Sequence, residues 1–79
     1  MEITIEDCLV LKDKFMIYCD RAEQHEFPML FVLHTRMDRT IDKFKDDGID
    51  QVEARAMFRV ILKYIGEDYS MYMEIHRGE

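Results

Sequence analysis

The chain has 79 residues, 17 acidic and 11 basic, giving a net charge of −6. That length fits one domain, near the lower limit for a core without disulfide or metal staples. The acidity disfavours non-specific binding to nucleic acid or anionic membranes, and no apolar run approaches the ~20 residues that span a bilayer.

Seven Met and no Trp predict a core whose gaps are filled by adaptable side chains, and small Met-rich cores gain stability by self-association. Cys8 and Cys19 would share the first helix. Eleven residues then separate them by about 16 Å, beyond disulfide reach, so reduced thiols and a cytoplasmic protein are expected. The segment Met1–Asp7 lacks the basic and apolar regions of a signal peptide.

Thr4 with Asp7 three residues later is a capping box with Asp in place of Glu, and it opens a helical pattern to about Gln24. Cys8, Leu11, Phe15, Tyr18, Cys19 and Ala22 recur at three- and four-residue steps and form its core face. Val10 and Ile17, with Leu9 and Met16 beside them, fall off that face. Either the C-terminal segment folds over this second stripe or a partner covers it.

Pro28 suits the first turn of the next helix, where a missing N–H costs nothing. Leu30, Leu33, Met37, Ile41 and Phe44 make its core stripe, with His34 on the margin beside Asp38. Asp38, Asp42 and Asp46 flank one side; Arg36, Arg39 and Lys43 flank the other. Phe31 and Val32 lie outside the stripe. Gly48 is the expected stop signal, with Ile49 making the accompanying apolar contact. Asp50 and Glu53 read as a second capping box, with Ile49 as the apolar residue before the cap. Ala54, Met57, Phe58, Ile61, Leu62, Tyr64 and Ile65 give the third helix the widest apolar arc, which makes it the most buried. Arg55, Arg59 and Lys63 form its polar stripe.

After Gly66 the pattern forks. Tyr69, Met71, Met73 and Ile75 alternate as in a strand, and Met1, Ile3 and Ile5 could pair with them. The same residues also serve as a helix in phase with the third. An isolated strand pair is marginal in water, which favours the helix. The expected fold is therefore all-α: a single domain over residues 1–79 with helices at about 5–24, 28–47 and 51–65. Segment 67–77 forms a fourth helix, with a strand as the alternative.

The chemistry-bearing residues form no complete site. His34 and Asp38 stand one helical turn apart, but a zinc site usually needs three protein ligands and there is no C-x-x-C pair. A hydrogen-bonded margin histidine accounts for both. Gly48, Ile49 and Glu53 resemble parts of an EF-hand loop, with Phe44 as the incoming aromatic. The glycine-to-hydrophobe spacing is one residue too short, and Lys43 and Lys45 stand where the first two carboxylates belong. Glu23-x-x-Glu26 resembles the first half of the Mg²⁺ motif of all-helical nucleotide pyrophosphatases, but the second half is missing. Neither cysteine has a sequence-placed base. No catalytic, cofactor-binding or metal-binding residue is assigned, and no enzyme is expected.

What remains is apolar surface surplus to one core: Leu9, Val10, Met16, Ile17, Phe31 and Val32. It points to a small acidic, non-catalytic interaction protein, a regulator, adaptor or inhibitor of another protein that also self-associates as a homodimer or higher oligomer. Compact acidic domains of this kind resemble phage and mobile-element proteins that block host factors. The alternative is a helix-turn-helix-like regulator whose Arg55, Arg59 and Lys63 follow the phosphates of a nucleic acid. Against it, acidic Asp47, Asp50 and Glu53 crowd the helix end that would enter the groove.

Overall fold

The computed structural model describes residues 2–48 and 50–77. Among them the chain forms four helices: α1 (Ile5–Arg21), α2 (Phe27–Asp47), α3 (Gln51–Tyr64) and α4 (Tyr69–Arg77). A short 3-10 turn, Gln24–Glu26, sits between α1 and α2. Consecutive helices pack against one another, and one core joins all four.

Local chemistry sets most boundaries. The Thr4 hydroxyl accepts from the Asp7 N–H at 3.2 Å, and the Asp7 carboxylate accepts from the Thr4 N–H at 2.9 Å. Two donors at the start of α1, the Thr4 and Asp7 N–H groups, are thereby satisfied. This helix ends at Arg21, short of Gln24, because Ala22 turns to extended backbone with ψ 152°. A capping box then starts the 3-10 turn, the Glu26 carboxylate accepting from the Glu23 N–H at 3.0 Å. The Glu23-x-x-Glu26 pair is thus turn chemistry.

Pro28 lies in the first turn of α2, as its missing N–H requires. Gly48 ends this helix with φ 83° and ψ 162°, its N–H donating to the Phe44 carbonyl. This is an extended mirror-image conformation open essentially to glycine alone. The apolar contact expected of Ile49 lies outside the described residues. Asp50 caps α3 by accepting from Val52 and Glu53. The expected reciprocal bond from Glu53 gives way to an ion pair with Lys43 at 3.6 Å.

At the end of α3 the Glu67 N–H reaches the Leu62 carbonyl and the Gly66 N–H reaches that of Lys63. That pair of bonds around a glycine at φ 86° is a Schellman stop. Asp68 then caps α4, its carboxylate accepting from the Met71 N–H at 3.0 Å. With a stop and a cap placed back to back, residues 69–77 form a helix rather than a strand. Helical phase puts Met73 in the core and Tyr72 beside Phe58, their rings 6.5 Å apart.

The most buried element is α3: Ala54, Met57, Phe58, Ile61 and Leu62 are all fully enclosed. Cys8, Leu11 and Phe15 meet it from α1, and Leu30, Leu33, Met37 and Ile41 from α2. The segment before α1 joins the core through buried Ile3. The Gln51 side-chain amide holds it there, accepting from the Ile3 N–H at 2.8 Å and donating to the Ile3 carbonyl at 2.9 Å.

Candidate functional site

The six apolar residues left over by the core stripes are all exposed: Leu9, Val10, Met16, Ile17, Phe31 and Val32. Phe31 is 74% exposed, an unusual state for so large an apolar side chain. The structure divides them. Val10 and Ile17 form one wall of a groove between α1 and α4, of about 800 Å³, with Met71 and Ile75 on the opposite wall. The C-terminal segment therefore comes alongside the second stripe of α1 without covering it, leaving Ile17 57% exposed. Leu9, Met16, Phe31 and Val32 lie outside this groove.

Phe27 and Met29 add to the exposed apolar surface at the start of α2, and Met71 and Ile75 to that of α4. The sequence reading missed these four, and also Val52 and Val60 of α3. Phe27 and Met29 sit ahead of the clear α2 stripe. Met71 and Ile75 were ambiguous because strand and helix phases place them on different faces.

A lysine ties the groove together. Lys14 Nζ is 2.7 Å from Glu67 Oε1, joining α1 to the α3–α4 turn, and lies 5.6 Å from the centre of the Tyr72 ring. Asp13, Glu67 and Asp68 supply the acidic groups of the groove lining. Exposed pairs like Lys14–Glu67 contribute under about 1 kcal/mol each, so this one fixes geometry more than stability.

The candidate basic stripe fares differently. Arg59 lies 4.9 Å from the centre of the Tyr69 ring of α4, a cation–π contact, and Arg55 is partly buried. Lys63 is exposed. On the acidic flank of α2, Asp38 pairs with Lys12 of α1 at 3.0 Å. Asp38 also meets His34 Nδ1 at 3.2 Å, which is the margin pairing the sequence implies.

A polar cluster joins the C-terminal ends of α1 and α3. Both Tyr18 and Tyr64 donate their hydroxyls to Glu26 Oε1, at 2.5 and 3.2 Å, with their rings edge to face at 5.8 Å. The Tyr18 hydroxyl's bond to Glu26, then burial, pushes its pKa up to about 12. The same hydrogen bonds lower the Glu26 pKa. A carboxylate receiving three donors serves as a clasp between the ends of α1 and α3.

The thiols are poorly placed for chemistry. Burial, with a smaller contribution from Asp7, pushes the Cys8 pKa up to about 11, and Cys19 is raised in the same direction, also chiefly by burial. Both are free cysteines. Among the described residues no three His, Cys, Asp or Glu side chains converge as a metal-binding group, and no helix is long and apolar enough to cross a membrane.

Compared with family models, curated proteins and solved structures, the chain matches none.

Proposed function

We propose that this chain is a small acidic interaction module, without catalysis, that acts as a regulator, adaptor or inhibitor by binding another protein. Self-association through the same apolar surface belongs to this reading. The carrying observation is the exposure of Leu9, Val10, Met16, Ile17, Phe31 and Val32 around a core that is already complete. Exposed apolar patches of this kind mark interaction sites on small chains. A standard interface takes about 800 Å² from each partner, a modest share of the 5329 Å² that the chain exposes. The reduced thiols fit a cytoplasmic setting.

The nucleic-acid alternative has less support, because Arg59 is engaged with Tyr69 and Arg55 is partly buried. The test compares the parent chain with two variants, Val10→Glu with Ile17→Glu, and Phe31→Glu with Val32→Glu. All four sites are exposed, so the far-UV circular dichroism of each variant should match the parent. Sedimentation and pull-downs are expected to show loss of self-association or of a bound protein in at least one variant. Unchanged profiles and unchanged capture in both would overturn the interaction reading. A salt-dependent shift of DNA by the parent, lost in Arg55→Glu with Arg59→Glu, would replace it with the alternative.

A further inference from the structure

We propose that the groove between α1 and α4 is the docking site for a basic amphipathic helix of another protein. This deepens the interaction reading and rests on it. Three features of the groove point the same way.

Its walls carry helix spacing. Val10 and Ile17 stand seven residues apart on α1, and Met71 and Ile75 four apart on α4. Two roughly helical ridges with a gap of about 800 Å³ between them accept the apolar ridge of a third helix, with anchors at i, i+3 or i+4, and i+7. Met71 is 61% exposed and Ile75 79%, so both are free to repack around an occupant.

Its charge is acidic. The one lysine in the lining, Lys14, is matched by Glu67 at 2.7 Å. Asp13 adds a carboxylate with no ion pair among the described residues, and Asp68 adds a second that caps α4. The helical repeat extends this edge: Glu6, Asp13 and Asp20 recur every seven residues beside Val10 and Ile17, and all three are exposed. A helix seated between the walls therefore meets carboxylates along its flank, and Lys or Arg there would be drawn in.

The same charge argues against a second copy. Each chain carries −6, and pairing two such grooves would bring Asp13 and Asp68 of one copy towards those of the other. Like charges placed together across an interface are costly. Self-association is then left to the surface around Phe31 and Val32.

The test uses the full chain, ¹⁵N-labelled, and two synthetic peptides of about 18 residues, long enough for a helix to persist. Both carry Leu at i, i+3, i+4 and i+7 repeats; one has Lys on its flanks and the other Glu. The Lys-flanked peptide should bind, weaken as salt is raised, and shift amides of α1 near Val10–Ile17 and of α4. Ile17→Glu should lower its affinity at least about tenfold. Asp13→Lys combined with Asp68→Asn, which keeps a capping side chain, should weaken the Lys peptide and admit the Glu peptide.

Equal binding of the two peptides, or amide shifts confined to other surfaces, would overturn the proposal. So would a dimer in the parent that Ile17→Glu dissociates, since a second copy would then fill the groove. If the Lys peptide is ignored while Phe31→Glu with Val32→Glu still abolishes association, the groove assignment falls and the interaction reading stands. If neither experiment shows binding, both fall.

Discussion

Glu26 gathers three hydrogen bonds, and its charge state should be felt in stability. It accepts from the Tyr18 and Tyr64 hydroxyls and from the Glu23 N–H. Its pKa is lowered in the folded chain, so its contribution is present above the ordinary carboxylate range and lost as pH falls through the depressed value. Tyr18 behaves in the opposite sense. Its pKa is pushed from 10.0 up to about 12; its contribution is therefore present below pH 10 and lost as pH rises from 10 to 12. Melting temperatures of the parent are expected to fall across that alkaline window more steeply than those of Tyr18→Phe, while Glu26→Gln should flatten the acid limb. Parallel pH profiles in parent and variants would remove the clasp from the account of stability. In the sequence this cluster was invisible, because its three residues lie 8 and 38 positions apart and only the packing of α1 against α3 brings them together.

At the scale of elements, two glycines stop two helices in different ways. Gly66 supports a Schellman motif, whereas Gly48 sits at φ 83° and ψ 162°. A Cβ at Gly48 would meet nothing within 4 Å, so the cost of a side chain there is backbone strain alone. Gly48→Ala is expected to lower the free energy of unfolding by about 1–3 kcal/mol in urea titration, with the helical content of the folded state unchanged. A neutral result would mean that the α2–α3 connection relaxes to another turn. These stops were legible in the chain because capping chemistry is local: Thr4 with Asp7, Pro28, Gly48 and Asp50 each act within three or four residues. The error at the end of α1 has a local cause too, since Glu23 and Glu26 opened a new turn where apolar periodicity alone ran on. The fold of residues 69–77 was ambiguous in isolation, and the Asp68 cap with the fit of Met73 into the core decided it.

The whole molecule is thin, 35 × 28 × 17 Å between its outer Cα atoms. Helices are about 10 Å across with their side chains, so the shortest dimension holds about two layers. The widest buried arc is that of α3. The others keep exposed backs, and α1 and α2 carry apolar residues on theirs. That geometry explains why the surplus stripes were readable from periodicity while their grouping was not. Residues off a core face can be found by counting along one helix. Which of them share a groove depends on where α4 comes to rest, and so Val10 and Ile17 separated from Leu9, Met16, Phe31 and Val32.

The Gln51 clip on Ile3 has a kinetic consequence. It spans 48 positions of sequence, whereas most packing joins helices that follow one another. Closing so long a loop is entropically slow to be rewarded, so the α2–α3 hairpin should organise first and the clip should snap shut after the rate-limiting barrier. Gln51→Ala is therefore expected to speed unfolding while leaving the refolding limb of the chevron nearly unmoved, a low φ-value. An equal loss on the refolding limb would place the segment before α1 in the nucleus. On the expected outcome, the clip does not guide the chain to its fold; it lengthens the time the fold survives once reached.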